Sequence, residues 1–343
     1  MLLVGGAGLI GSALSIRLAS QGHNVVVVDD LSVNNLHSDW DLGRPGVNRP
    51  LYEFLLQGRL SAMDMAGVQR LEANAADFQV LGEIVSREAP QVIVNLAAVS
   101  HASKSNKDPA RAFMNGSMVL QSSLDAARAS GVSRFVYLSS SMVVGDFPAE
   151  TVDEGVDCQP LGIYGALKFG GEALVRAYSS SFGLEHVIVR PAAAYGPGCV
   201  GRRFIQASLE SALGHQPISV PGDGDERVDF TYVDDLTHGL VLAMSSAAAS
   251  NQTFHMTAGH ARSLNEVVEI IQREIPTAEV VHRPRNSNVP KRGTLAIDKA
   301  RSFLGYEPQV TLEEGISRYL GWYRGIQLSH PELLVLEEPV IND

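Results

Sequence analysis

The chain opens on an apolar run, residues 1–4, which passes through a glycine-rich turn into a segment of helical periodicity over residues 9–19. Short, almost wholly apolar runs recur at residues 25–28, 92–96, 135–138 and 187–189. None alternates apolar with polar positions. Each is therefore expected to be a strand covered on both faces, the pattern of a parallel sheet. Stretches at helical spacing lie between them, at residues 79–88, 109–130 and 163–181. This alternation, with right-handed crossovers, predicts an α/β fold built on a doubly wound parallel sheet.

Two regions break the rhythm. Residues 32–67 are rich in Asn, Pro, Gly and Arg and hold one short helix candidate, residues 51–60. After Arg190 the pattern is mixed, with Gly/Pro turns at residues 195–198 and 221–224. Helix candidates follow at 203–213, 233–246, 263–273 and 312–323. This part reads as a smaller, mixed C-terminal substrate domain. Residues after Gln327 read as a loosely held tail.

Composition narrows the field. With 343 residues, 45% hydrophobic and 19% charged, the chain can bury a large core and is not expected to be disordered. A net charge of −11 argues against a nucleic-acid partner held by general electrostatics. Cys158 and Cys199 are the only cysteines, so neither a disulfide scaffold nor a cysteine-rich metal site is expected. His255 and His260 lack metal-ligand spacing with an acidic partner, and no metal is expected. No apolar run reaches the ~20 residues that cross a bilayer. No charged segment precedes an apolar one at the N-terminus, so no membrane partner and no signal peptide are expected. The expectation is a cytoplasmic enzyme.

Candidate chemistry begins at the first turn. Gly5, Gly8 and Gly11 form G-x-x-G-x-x-G between a strand and a helix. Such glycines permit a tight turn and close backbone approach to a pyrophosphate, which the free N–H groups of the helix start can bind. Taken alone, the pattern fits a plain strand–helix turn equally well. Asp29 and Asp30 end the second predicted strand, about 20 residues on, where a carboxylate accepts hydrogen bonds from ribose hydroxyls. No arginine follows closely to receive a 2′-phosphate, which favours NAD over NADP.

Tyr164 and Lys168 stand one helical turn apart and share a face. A phenol has a pKa near 10, and a neighbouring ammonium would lower it enough to serve as a base toward an alcohol. Ser139, Ser140 and Ser141 follow the strand ending at Leu138, at the carboxyl edge where such sheets bind ligands. With nine tyrosines and five lysines in the chain, chance supplies a Tyr-x-x-x-Lys pair about 0.1 times. The order and spacing of all these features together carry the weight.

At this point the sequence resembles the extended short-chain dehydrogenase/reductase family, in its nucleotide-sugar epimerase/dehydratase branch. The resemblance rests on residues 5–11, Asn95-Leu96-Ala97-Ala98, Asp108-Pro109 with Asn115, and residues 135–141. It continues through Tyr164-Gly165-Ala166-Leu167-Lys168 with Glu172, Arg190-Pro191, Tyr195-Gly196-Pro197, Gly222-Asp223-Gly224 and residues 229–236. It implies a Rossmann NAD-binding domain over residues 1–187, with a segment near 229–258 returning to it, and a mainly substrate-binding domain over 188–343. It implies Ser140, Tyr164 and Lys168 as catalytic residues. Gly5, Gly8, Leu9, Ile10, Asp29, Asp30, Ala97, Ala98 and Asn115 would hold NAD together with Tyr164 and Lys168. It further implies a nucleotide-diphosphate sugar as substrate and a homodimer paired through residues 109–130 and 163–181.

The resemblance also narrows the reaction. Dehydratases of this family usually carry an acid just after the catalytic serine; here Ser141 and Met142 occupy that place. This favours a 4-epimerase, similar to the UDP-sugar 4-epimerases, over a 4,6-dehydratase or 4-ketoreductase. A non-catalytic dinucleotide-binding regulator would have no reason to keep Ser140, Tyr164 and Lys168 together. Ser100-His101 is the opposing signal, because it looks like a stretch common in 4,6-dehydratases. Ala193 stands where the family usually has Asn, Val228 where it has Arg, and Asn74 where it has an adenine-contacting Asp. Substrate contacts are expected from Ser100, His101, Ser141, Met142, Ala193, Arg202, Arg203 and Arg292. Arg283, Arg285 and Lys291 are further candidates for the diphosphate.

Overall fold

A computed structural model describes residues 1–37, 48–99, 102–286 and 289–335 of the chain. Its strands are β1 (Leu2–Val4), β2 (Val26–Asp29), β3 (Gln69–Glu72), β4 (Val92–Asn95), β5 (Arg134–Leu138), β6 (Thr151–Val152), β7 (His186–Arg190) and β8 (Ala193–Tyr195). These are followed by β9 (Ile218–Pro221), β10 (Arg227–Val228), β11 (Phe230–Tyr232), β12 (Gln252–His255), β13 (Arg262–Ser263), β14 (Val280–Arg283) and β15 (Thr294–Leu295). Seven of them form one sheet in the order β12-β7-β5-β4-β1-β2-β3. Every pairing in it is parallel. This is the Rossmann-like α/β fold expected from the apolar runs.

The runs are apolar because both faces of the sheet are covered. Successive side chains leave a strand on opposite sides. Leu3, Val27, Val94, Val136 and Val189 enter one core, with Leu14 and Leu18 of helix Leu9–Ser20 and Leu236 and Leu240 of helix Val233–Ser245. Leu2, Val26, Ile93, Phe135 and Ile188 enter the other, with Leu81 and Val85 of helix Phe78–Glu88 and Leu120 and Leu124 of helix Val119–Ala129. Burying each such side chain contributes roughly 1.5–3 kcal/mol. A third core joins Tyr52, Leu55 and Leu56 of helix Arg49–Met65 to Leu209, Val267, Ile271, Ile316, Tyr319 and Tyr323.

Several elements differ from the sequence expectation. The helix candidate at 51–60 runs over Arg49–Met65, started by Asn48, whose side chain accepts from the Leu51 N–H. The single helix expected at 109–130 is Pro109–Phe113, a π turn at Met114–Met118, and Val119–Ala129. β3 and β12 lie at the two sheet edges, and their polar residues hid them from an apolar-run criterion. The C-terminal stretch is not loose as far as it is described. Helix Leu312–Ser329 is followed by a 3₁₀ turn at Pro331–Leu334, and Leu334 is buried in the third core. Among the described residues no helix is long and apolar enough to cross a membrane.

Candidate active site

A cleft of about 530 Å³ opens at the carboxyl ends of the sheet strands. The glycine loop forms one wall. Gly5 has φ +72°, and a Cβ there would stand 2.6 Å from the Ala97 Cα, so the loop crosses the β4 exit in contact. A Cβ on Gly11 would lie 2.5 Å from the Gly6 Cα and oxygen. Gly8 is different: a Cβ there meets nothing within 4 Å, yet the residue lines the cleft. Gly8 is also the start of helix Leu9–Ser20, and no side chain caps it. The open space and uncapped N–H groups make a cradle fitted to a pyrophosphate.

The Asp29 carboxylate accepts the Ala7 N–H at 2.9 Å and the Leu31 N–H at 2.8 Å. Each oxygen retains a second lone pair for a ribose hydroxyl. Burial raises its pKa, against the two N–H bonds. Asp30 accepts from the Ser32 N–H and hydroxyl. Arg59, on helix Arg49–Met65, reaches the same place. Its guanidinium donates to the Ala7 carbonyl at 2.9 Å and to the Gly198 carbonyl at 2.5 Å. No local sequence signal points to Arg59.

At the end of β5, the backbone N–H groups of Ser139 and Ser141 donate to Val189 and Pro191 carbonyls at 2.7 and 2.8 Å. Ser140 caps the short turn after it, accepting from the Met142 N–H at 3.2 Å. Tyr164 sits in the first turn of helix Gly162–Phe182, whose start is held by Asn106 accepting the Ile163 N–H at 2.9 Å. Ser140 and Tyr164 both line the cleft, near enough for the serine hydroxyl to act on the phenol. Burial pushes the Tyr164 phenol above its ordinary range, opposed by Ser140 and the charge of Arg203. The downward pull expected from Lys168 is therefore supplied by other groups. Its ammonium is turned to the Leu138 carbonyl, 2.6 Å away, and lies 4.8 Å over the Tyr137 ring. Burial lowers Lys168 to about 7, opposed by the Glu172 charge.

The cleft brings together most of the expected residues. Gly5, Gly8, Leu9, Ile10, Asp29, Asp30, Ala97, Ala98, Asn115, Ser140, Tyr164 and Lys168 all line it, as do Ser141, Met142, Ala193, Arg203 and Arg292. Asn115 is carried by the π turn, whose extra residue re-aims the side chains of a helix. Arg202 is the exception and corrects the sequence expectation. Its backbone is left-handed, φ +53°, its N–H donates to the Gln206 side chain, and its side chain is buried away from the cleft. Arg283 and Arg285 line the cleft, and Lys291 does not. Arg285 and Arg292 both engage Glu226, at 3.4 and 2.6 Å. Arg227 is turned to the Ala261 carbonyl and does not replace the guanidinium absent at Val228. Ser100 and His101 lie outside the described residues.

Residues 1–259 match the sequence profile of the NAD dependent epimerase/dehydratase family. The chain belongs to that family of NAD-dependent epimerase and dehydratase enzymes, and NAD is its cofactor. A UDP-glucose 4-epimerase of Mycolicibacterium smegmatis is 31% identical, the match covering 94% of this chain and 98% of the relative. A dTDP-glucose 4,6-dehydratase of Streptomyces niveus is 25% identical over 94% of this chain and 92% of its own length. The crystal structure of a UDP-glucose 4-epimerase from Thermotoga maritima with UDP-glucose superposes with a TM-score of 0.83 at 24% identity, covering 94% of this chain and 98% of that one.

Proposed function

We propose that the protein is a nucleotide-sugar 4-epimerase that works through a transient 4-keto sugar. One observation carries this reading. Ser140, Tyr164 and Lys168 line one cleft whose carboxylates, among the described residues, are Asp29, Asp30 and Glu226. These belong to the glycine-loop wall and the arginine cluster, and none belongs to the turn after Ser140. An acid to expel a C6 hydroxyl is thus missing where elimination would need one, which favours epimerisation over dehydration.

In this reading residues 1–187, with the segment near 229–258, hold the dinucleotide, and residues 188–343 mainly hold the sugar nucleotide. Gly5, Gly8 and the N–H groups of Leu9 and Ile10 would cradle the pyrophosphate, Asp29 and Asp30 the adenosine ribose, and Lys168 the nicotinamide ribose. Bound NAD supplies a two-electron site that accepts the C4 hydride and later returns it. Tyr164 Oη, as phenolate, takes the C4 hydroxyl proton while Ser140 Oγ donates to the same oxygen. The C4–H bond breaks, C4=O forms, and the sugar turns about its phosphate bond to present its other face. The Tyr164 proton then returns to the C4 oxygen. Arg203 and Arg283 line the cleft, as do Arg285 and Arg292 where they meet Glu226, and these four would hold the diphosphate. Ala193 and Val228 leave the sugar loosely clamped, as rotation demands. Exposed Phe113, Met114, Phe169 and Phe182 on the two helices flanking this site support pairing of two copies there.

The test is incubation of the purified protein with UDP-glucose, UDP-glucuronate and their N-acetyl forms, without added NAD. The 4-epimer is expected, and Tyr164→Phe should lower the rate by about 10²–10⁴. A 4-keto-6-deoxy product, or net reduction, would establish the dehydratase or ketoreductase chemistry instead.

A further inference from the structure

Behind the serine–tyrosine pair lies a buried ionic group that the mechanism above leaves unused. We propose that Glu172 is a positioning residue that keeps Lys168 charged and holds Ser140 in register with Tyr164. Glu172 follows Lys168 by one helical turn and is fully buried. Its Oε1 accepts the Ser139 hydroxyl at 2.7 Å and the Arg190 Nε at 2.8 Å. Its Oε2 accepts Arg190 Nη2 at 2.8 Å and Arg176 Nη2 at 2.9 Å. One carboxylate thus ties the catalytic helix to the exits of β5 and β7. Ser139 directly precedes Ser140, so the 2.7 Å bond fixes the strand end from which Ser140 reaches Tyr164.

The charge argument follows from what surrounds Lys168. The β5 side presents the Leu138 carbonyl, the Tyr137 ring and Ser139. The helices and π turn opposite present Ser105, Ala112 and Gly116, none of them charged. Its own helix contributes Tyr164 and Glu172, with Arg176 beyond. Arg190 of β7 and Cys158 stand behind Glu172. Glu172 is the anion of this set that supports the Lys168 ammonium, while Arg190 and Arg176 hold Glu172 itself below the usual carboxylate range against its burial. An ammonium cut off from water loses its proton readily without such a partner.

The inference rests on the epimerase reading for its catalytic consequence only, and the titration is read directly. The chain has five lysines. Lysine labelled with ¹³C at Cε therefore gives five signals, and Lys168→Met identifies the one of interest. In the full-length protein Lys168 should titrate near pH 7. Glu172→Gln should lower that midpoint by about one unit and shift the alkaline limb of kcat equally. Arg176, on the solvent side of the carboxylate and 44% exposed, can be changed without disturbing the core. Arg176→Gln should raise the midpoint by a few tenths of a unit. Ser139→Ala should leave the midpoint in place and lower kcat about tenfold by freeing Ser140. A Lys168 midpoint unmoved by Arg176→Gln and by any folded Glu172→Gln protein would overturn the charge role. A Ser139→Ala enzyme with unaltered kcat would overturn the positioning role. If the wild-type protein epimerises no sugar nucleotide, the functional reading fails while the lysine titration still judges Glu172.

Discussion

Gly8 and Gly11 belong to one motif, yet alanine at each should fail for opposite reasons. At Gly11 the new methyl would sit 2.5 Å from the Gly6 backbone, about 1 Å inside normal carbon contact. The obstacle is backbone, wedged between β1 and its helix, so it cannot rotate aside. Overpacking of this kind costs about 3 kcal/mol at the upper end of its range. Replacing a helical glycine returns about 1 kcal/mol of propensity. The net loss of about 2 kcal/mol should lower the melting temperature of a 343-residue chain by roughly 3 °C, with or without cofactor. At Gly8 a methyl meets no protein atom within 4 Å, and the backbone, φ −76°, suits any residue. The only stability cost is a poorer helix cap, about 0.5 kcal/mol. The methyl would instead fill the space left for the pyrophosphate, and NAD affinity should fall about 100-fold. Thermal scans of stripped and NAD-saturated protein, with NAD content measured after purification, separate the two. Gly8→Ala protein that keeps its NAD like the wild type, or stripped Gly11→Ala protein that melts with the wild type, would refute the reasoning.

Other perturbations test other links. Arg59→Met leaves the Gly198 carbonyl without its partner, while the Ala7 carbonyl keeps the Asn35 side-chain N–H at 3.0 Å, and should cost about 1–3 kcal/mol, read by urea unfolding. Loss of the Arg59 charge also pushes Asp29 further up, so NAD release from this variant should begin at a higher pH than in the wild type. His255 is fully buried, and burial, reinforced by Arg190, holds it down at about 3. Its folded pKa is below its unfolded one, so its contribution is complete above about 6.5 and fades as pH falls toward 3. The stability difference between wild type and His255→Gln should therefore shift by about 1.4 kcal/mol per pH unit over that window, in favour of the variant at acid pH. Equal slopes for the two proteins would contradict a neutral buried imidazole.

What could be read from the sequence was local. The apolar runs are apolar because both faces of the sheet are roofed, so they announced the strands directly. The glycine loop, the Ser139–Ser141 edge and the Tyr164/Lys168 pair lie within one element or one turn each. Contacts that join distant segments left no such mark. Arg59 meets partners 52 and 139 positions away, and Asn106 starts a helix 57 positions on. The π turn under Asn115 adds one residue to an otherwise regular pattern and leaves the apolar period nearly intact. Arg202 and Arg203 are neighbours of equal charge. A single left-handed residue decides that only the second faces the cleft.

Helix Arg49–Met65 lies in the stretch between β2 and β3 that looks like an interruption, and it belongs to two cores at once. Tyr52, Leu55 and Leu56 pack into the third core, while Leu60 and Met63 pack under the sheet. Arg59 stands at the changeover and grips both walls of the cleft. A single side chain thus ties the two walls together. Loss of Arg59 would therefore release the glycine-loop wall and the Gly198 wall together, while the contacts of Arg285 and Arg292 with Glu226 in the same cleft would stay.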